Sequence, residues 1–172
     1  MMKRNILAIV AILSLCSTYF MPEAKADEKT FGIRVGYNTR TEAPLSGLFF
    51  QYGFSTHFRV SPNLDYYFRH NDVDALSFNC NVHIPFKLSN SGVTAIYPLA
   101  GLNYSAWSHH YEGNELKNNN DVTMRQTRVG LNLGGGFEIY ASPTLKVSIE
   151  AKATLIKAYS SGSFTASIGY IF

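Results

Sequence analysis

The chain has 172 residues, of which 46% are hydrophobic, 14% are aromatic and 16% are charged, and this charged share is below the roughly 25% of an ordinary soluble domain. The composition, without charge blocks or low-complexity tracts, excludes intrinsic disorder, and the length allows one domain. The net charge of +3 with scattered Lys and Arg argues against nucleic-acid binding, and the body of the chain contains no apolar stretch long enough for a helical membrane anchor.

Residues 1–26 are typical of a secretory signal peptide. Lys3 and Arg4 form a basic start, residues 6–16 form an apolar stretch that is too short to span a bilayer, and an A-x-A motif ends at Ala26. We therefore expect export of the chain and cleavage after Ala26.

The remaining chain, residues 27–172, is predicted to be a single domain. Without Lys3, Arg4, Lys25 and Glu23, the 15 basic and 12 acidic residues fall to 12 and 11, so the exported domain is nearly neutral. It keeps one cysteine, Cys80, which excludes an internal disulfide.

Apolar residues alternate with small or polar residues in eight runs after the signal segment. The runs cover 31–38, 48–58, 64–69, 76–86, 96–105, 128–139, 145–155 and 164–172. A period of two predicts β-strands, and no competing 3.6-residue pattern follows the signal segment. We expect an all-β, antiparallel, up-and-down fold.

The two faces of the predicted strands differ in charge. The apolar face carries no charged residue, whereas the other face carries small residues and a predicted polar network of Arg34, Asp65, Arg69, Arg128, Glu138, Lys146, Glu150 and Lys152. Small residues suit the narrow interior of an eight-stranded barrel, and aromatic residues near the run ends would form interfacial girdles. Because a sheet in lipid must pair all its backbone groups, we predict a closed eight-stranded transmembrane β-barrel with a polar, plugged lumen.

A soluble, lipocalin-like ligand-binding barrel is the alternative for the fold. The lone tryptophan, Trp107, lies in the middle of the chain, whereas a lipocalin carries its G-x-W motif in the first strand. This position favours the transmembrane barrel.

Connections between the runs predict the topology. Short turns over 59–63, 89–92 and 141–144 are assigned to the periplasmic side, and segments over 40–46, 70–74, 108–124 and 157–162 to extracellular loops. The third loop is long and polar and carries His109, His110 and Glu112. Imidazole and carboxylate can bind a metal, but we interpret these side chains as exposed loop residues without a metal.

Charged residues inside a narrow lumen should pair with one another. A tight turn at Ser142 and Pro143 would place Glu138 opposite Lys146, and Arg34 is expected to meet Glu150 across the lumen. His57 and His83 are expected to point inward near the periplasmic end, where they would form lumen hydrogen bonds.

The sequence supplies little evidence for catalysis. It contains no Gly-x-Ser-x-Gly motif, phosphate-binding loop or dinucleotide fingerprint. Ser108, His109 and Glu112 form only a loose set on one loop. We predict no catalytic residues and no cofactor.

The C-terminus has the most specific pattern of the chain. Phe164, Ala166, Ile168, Tyr170 and Phe172 alternate up to the last residue. This pattern resembles the terminal signature of bacterial outer-membrane barrels, which implies recognition by the barrel-assembly machinery.

Segments 97–104 and 129–140 also resemble the small porin-like barrels of the OmpA/OmpX/OmpW type. The resemblance implies a monomer in the outer membrane, with membrane lipid, lipopolysaccharide and periplasmic chaperones as partners. It also implies a non-enzymatic role in envelope structure or surface interaction. A narrow solute channel and a lipid-modifying barrel enzyme are the alternatives.

Overall fold

A computed structural model describes residues 27–55, 57–88, 93–111 and 122–172, with only the backbone of Tyr111 and Val122. The predicted signal segment, residues 1–26, lies outside these ranges. Within them, no helix has the length and apolar character needed to cross a membrane.

The described residues form one antiparallel sheet that closes on itself. Its strands are β1 (Lys29–Asn38), β2 (Ala43–Ser55), β3 (Phe58–His70), β4 (Val73–His83), β5 (Phe86–Lys87), β6 (Thr94–Tyr111), β7 (Val122–Ser142), β8 (Leu145–Leu155) and β9 (Ser161–Ile171). β1 pairs with β9 and β4 pairs with β6, while the two-residue β5 pairs with β6 alone. Eight strands therefore close into a barrel, which confirms the predicted fold class.

The two ends of the barrel hold different parts of the chain. The terminal end holds the start of β1, the end of β9 and the connections β2–β3 and β7–β8. The loop end holds the connections β1–β2, β3–β4 and β8–β9.

Along each strand, side chains point alternately to the outer face and to the interior of the barrel, as the sequence predicted. Phe78 and Ile149 are 50% and 59% exposed on the outer face, whereas Arg34 and Glu150 are 5% and 9% exposed inside the barrel. A dry apolar core surrounded by solvated charges would show the reverse. The prediction that apolar side chains face outward is confirmed, and six of the eight charged residues predicted to face inward are buried.

One predicted turn is wrong. Residues 59–63 lie inside β3, where Arg59 pairs with Gly53 of β2 and with His83 of β4. The predicted turn contains Pro62, but Pro62 pairs with Cys80 of β4. On the other side, the pairing of β3 with β2 is interrupted between Val60 and Asn63. A proline has no N–H to donate, so the ladder is interrupted locally while the strand continues.

The other connections are shorter than predicted. Strand pairing begins at Ala43 in β2 and at Ser161 in β9, inside two predicted extracellular loops. The β6–β7 hairpin extends to Tyr111 and Val122, so it reaches well into the predicted loop 108–124. Residues 89–92 and 112–121 lie outside the described residues.

Introducing a charge on the lipid-facing surface should destabilise the barrel. We expect Ile149→Arg to lower the free energy of unfolding in lipid vesicles by about 2–4 kcal/mol, because the guanidinium would lie at the middle of the apolar belt. Denaturant titration of the vesicle-inserted protein measures this loss.

Met124→Arg is the matched control. Met124 is 53% exposed on the part of β7 that pairs only with β6, beyond the last β8 partner, Leu155. This variant should change stability by less than about 0.5 kcal/mol. Equal losses in the two variants would contradict a lipid-facing Ile149.

Candidate functional site: the lumen and the loop end

The lumen collects most of the residues of the predicted polar network. Six of them are buried inside the barrel: Arg34, Asp65, Glu138, Lys146, Glu150 and Lys152. Arg69 and Arg128 are not among them, because both lie at the loop end, beyond the closed interior. Arg69 pairs with Asp72 on the exposed surface, and Arg128 stacks over the ring of Tyr159.

An ionic layer fills the terminal end of the lumen. The guanidinium of Arg59 donates two hydrogen bonds, at 3.0 and 2.9 Å, to the two carboxylate oxygens of Glu138. Lys146 Nζ donates to Gln51 at 2.7 Å and to Glu28 at 3.2 Å. The bidentate pairing of Arg59 with Glu138 is the strong form of a charge-assisted hydrogen bond.

The predicted cross-strand pair of Glu138 and Lys146 has a different geometry. Lys146 pairs with Tyr140, and Glu138 pairs with Ser148, because the turn between β7 and β8 consists of Pro143 and Thr144 and so lies further along the chain than predicted. The two charges therefore meet diagonally, with Nζ and Oε2 3.9 Å apart.

A second ionic layer lies at the middle of the lumen. Arg34 contacts Glu150 at 3.1 Å, as predicted, and Asp65 at 3.2 Å from its Nε. It also donates to the hydroxyl of Thr165 at 3.0 Å. Lys152 Nζ lies 3.8 Å from Asp65. Each charge at this level faces an opposite charge from another strand.

His83 and Tyr97 connect the two ionic layers. Their rings stack with centroids 4.5 Å apart, Arg59 donates to His83 Nδ1 at 3.3 Å, and the Tyr97 hydroxyl donates to Glu150 at 3.3 Å. His83 lies inside the barrel, as predicted, whereas His57 is exposed in the β2–β3 turn.

Asparagine side chains continue the filling towards the loop end. The amide of Asn79 donates to Asn63 at 2.8 Å and accepts from Asn103 at 2.8 Å and from Asn132 at 2.9 Å. Thr154 donates to Asn132 at 2.9 Å. The chain of hydrogen bonds runs from β3 to β8 across the lumen.

An aromatic group covers the asparagine layer at the loop end. Trp107, Tyr67, Leu45 and Ala75 form a buried apolar cluster, with Tyr159 packed against it. The Trp107 and Tyr159 ring centroids are 5.4 Å apart. Side chains therefore occupy the lumen from the terminal end to this cluster.

Charges in the lumen balance. Among the described residues, four cations, Arg34, Arg59, Lys146 and Lys152, contact four anions, Glu28, Asp65, Glu138 and Glu150. Burying an unpaired charge costs several kcal/mol, so a neutral network is the arrangement that a narrow interior tolerates.

Arg59 is the functional residue that the sequence reasoning missed. It was assigned to the predicted turn over residues 59–63 and was therefore left out of the alternating runs. The inward parity of Arg59, Ser61, Asn63 and Asp65, all buried, could have identified the strand. Pro62 concealed that signal.

The predicted loop residues lie apart from the lumen. His110 Nε2 is 2.6 Å from Asp74 Oδ1, His109 lines a cavity at the loop end, and Glu112 lies outside the described residues. In the part of the chain that the structure describes, no group of three or more His, Cys, Asp or Glu side chains could hold a metal ion.

Glycines provide the space that the large lumen side chains occupy. A Cβ added at Gly136 would collide with the ring end of Tyr97 and lie 2.7 Å from the carbonyl oxygen of Ile149. The rim of the Phe49 ring would likewise lie 2.7 Å from a Cβ at Gly32 and 2.9 Å from one at Gly169. At these positions only glycine lets a ring from another strand pass.

Removing one member of the buried Arg59–Glu138 pair should be costly. Glu138→Leu leaves Arg59 buried without its carboxylate, so we expect a loss of about 3–5 kcal/mol in the free energy of unfolding. Adding Arg59→Met removes the stranded charge and should recover a large part of that loss, as denaturant titration would measure.

Asp72→Asn is the control for this pair, because asparagine tolerates the positive φ of 59° at this position. It removes the charge that contacts Arg69 in a pair whose side chains are 49% (Arg69) and 55% (Asp72) exposed, and it should cost no more than about 1 kcal/mol. A double variant that is less stable than Glu138→Leu would contradict our account of the buried pair.

Adding a methyl group beneath Tyr97 should also destabilise the barrel. We expect Gly136→Ala to cost about 1–3 kcal/mol through overpacking, because the Tyr97 hydroxyl is held by Glu150. Gly162→Ala is the control, since a Cβ there meets only Thr39 atoms at 3.4 Å, and it should be nearly neutral in the same unfolding measurement. Similar losses at both positions would contradict this packing.

Several solved structures superimpose on the barrel. The chain superimposes on the N-terminal β-barrel domain of Pseudomonas aeruginosa OprF with a TM-score of 0.64 and 13% identity, over 86% of this chain and 98% of that one. Ail, the attachment invasion locus protein of Yersinia pestis, gives 0.60 and 14%, over 86% and 100%. Neisserial surface protein A gives 0.65 and 14%, over 84% and 96%. At these identities the likeness establishes the fold alone.

The family of the chain follows from a match over most of its length. No curated protein matches it significantly. The family model described as the outer membrane protein beta-barrel domain matches residues 10–172. Together with the closed barrel and its apolar outer face, this match places the chain in the bacterial outer membrane. The protein belongs to the outer membrane protein beta-barrel domain family and folds as a small eight-stranded barrel.

Proposed function

We propose that the protein is a non-conducting, non-enzymatic outer-membrane barrel that presents its loop end at the cell surface. One observation carries the proposal: the ionic layers, the asparagine layer and the Trp107 cluster succeed one another along the lumen. The interior of an eight-stranded barrel is only wide enough for side chains, so this filling leaves no continuous water path. The role is structural in the envelope or interactive at the surface.

His83 is not placed to activate a nucleophilic hydroxyl. A nucleophilic hydroxyl needs a base within hydrogen-bond reach. In the described part of the chain, His83 bonds to Arg59 and stacks on Tyr97, and it makes no hydrogen bond to a serine or threonine. Its position therefore suits the packing of the lumen.

Biogenesis forms part of the same proposal. Cleavage after Ala26 would leave β1 intact, since that strand begins at Lys29. The alternating C-terminal side chains, of which Phe164, Tyr170 and Phe172 are about 60% exposed, would be the assembly signal that the barrel-assembly machinery reads after delivery by periplasmic chaperones. The inserted monomer would contact membrane lipid and lipopolysaccharide.

The proposed plug predicts electrical silence. Purified protein inserted into planar bilayers should give no stable nanosiemens openings, because the Arg34 and Arg59 networks and the Trp107 cluster obstruct the path. Single-channel recording at both voltage polarities tests this.

Insertion must be verified in the same preparation. A folded barrel migrates differently on a gel before and after boiling, so this shift must accompany the silent recordings. Stable openings by heat-modifiable protein would contradict the proposed function and favour a solute channel.

A further inference from the structure

We infer that β7 binds an extended, acidic peptide segment of another protein, which joins the sheet as an additional antiparallel strand. The binding surface is the side of residues 122–130 that faces away from β6, called the open edge. The inference rests on the proposed function in one respect, namely that the loop end faces the cell exterior.

β7 extends further at the loop end than the strand beside it. Its pairing with β6 continues to Tyr111 and Val122, whereas its pairing with β8 ends at Leu131 and Leu155. Among the described residues, positions 122–130 therefore have no strand on the side away from β6. At about 3.3 Å per residue, this open edge is about 30 Å long. On the other side of the hairpin, β4 pairs with β6 as far as His109, so β7 supplies the uncovered edge.

The strand register shows which backbone groups lie on the open edge. The N–H of Tyr140 donates to the carbonyl of Val93 at 2.8 Å, and the β6–β7 register continues without a shift to Val122. In an antiparallel ladder, alternate residues bond to one neighbouring strand, and the residues between them bond to the other. Even-numbered residues of β7 therefore bond to β6. The N–H and C=O groups of four odd-numbered residues point to the open edge: Thr123, Arg125, Thr127 and Val129.

The open edge presents these backbone groups to solvent. The backbone hydrogen bonds of the described turns and loops include none from residues 122–130, and residues 123–127 are exposed on both faces of the hairpin. An uncovered strand edge is a template for pairing with another chain. In recognition by strand addition, main-chain hydrogen bonds supply affinity and alternate side chains supply specificity. The open edge therefore has the geometry that an extended peptide requires.

The side chains of the open edge favour an acidic partner. Residues 122–130 include Arg125 and Arg128 but no Asp or Glu. Arg125 is exposed and forms no ion pair within the described ranges. Opposite charges that face each other on neighbouring strands stabilise a sheet, whereas like charges destabilise it. A second copy of this chain would bring two arginine-bearing edges together, so the occupant is an acidic segment of a different protein.

Fluorescence anisotropy of a labelled nine-residue peptide that alternates valine with glutamate tests binding. We expect saturable binding to the detergent-refolded protein, because the glutamates would face the same side of the sheet as Arg125. A peptide that alternates valine with lysine should bind at least about tenfold more weakly, because repulsion replaces attraction.

Methylation of the peptide nitrogens tests strand pairing directly. In an antiparallel pair, two opposite residues that exchange both hydrogen bonds carry their side chains on the same face. The glutamates opposite Arg125 and Thr127 therefore use their own N–H groups, and the valine N–H groups point away from β7. N-methylation of the glutamates should abolish binding, whereas N-methylation of the valines should leave the affinity within about twofold.

A charge reversal locates the site. Arg125→Glu should reverse the preference, so that the lysine peptide binds more tightly than the glutamate peptide. Lys29→Glu is the control, because it makes the same change in net charge at an exposed position of the terminal end. It should keep the wild-type preference. The heat-dependent gel shift verifies that both variants are folded.

Amide hydrogen exchange, followed by NMR in micelles, resolves the edge residue by residue. Without peptide, the N–H groups of Thr123, Arg125 and Thr127 should exchange rapidly, because they face water. Bound glutamate peptide should slow them at least about tenfold, since hydrogen bonds then protect them. The N–H groups of Met124 and Gln126 bond to β6, so they serve as internal controls that the peptide leaves unchanged.

Three results would overturn the inference. The first is no saturable binding of the glutamate peptide to folded wild-type protein. The second is an equal effect of the two methylation patterns, which would indicate attraction by charge alone. The third is slow exchange of the edge amides without peptide, which would mean that another part of the chain or a second copy covers the edge. Conductance is recorded separately, so the open edge can fail to bind while the proposed silent barrel stands.

Discussion

Backbone hydrogen bonding in lipid is the constraint on which the structure depends. Hydrocarbon offers no partner to an N–H or C=O group, so a sheet that crosses the membrane must have no open edge. Pairing of β1 with β9, from Thr30 with Ile171 to Asn38 with Ser163, closes the sheet on one side, and pairing of β4 with β6 closes it on the other. Closure then gives every strand one face towards lipid and one face towards the lumen.

Closure of the barrel buries the charged side chains of the inner face. In a barrel of eight strands, side chains from opposite walls lie within contact distance. Each buried charge can therefore pair with an opposite charge on another strand, which avoids the cost of burying it alone. Arg59 and Glu138 are 79 residues apart in the chain, and Arg34 and Glu150 are 116 apart. The network that results brings four cations into contact with four anions among the described residues.

The loop end has the opposite character. At the loop end, Arg40, Thr41 and Trp107 line one cavity and the charged side chains of Arg69 and Asp72 are exposed, whereas the charged side chains of the lumen are buried and paired. A rigid, filled barrel is suited to hold such a surface in position, since binding residues commonly lie on loops that a rigid scaffold carries. Solved barrels of 13–14% identity share the fold, which is consistent with a scaffold that depends on alternation and not on particular residues.

The sequence by itself determined the strands, their faces and the closed barrel, because a period of two is a local property of each strand. Local patterns also sufficed for Arg34, Asp65 and Glu150, which lie within clear alternating runs. They failed at Arg59, because residues 59–63 were predicted as a turn, and at the pairing of Glu138 with Lys146, because the β7–β8 turn lies at Pro143 and Thr144. Only the tertiary structure decided which charges meet and that Arg40, Thr41 and Trp107 share one cavity. The physical reason is that barrel closure brings together strands that are distant in the chain, and local periodicity carries no information about that distance.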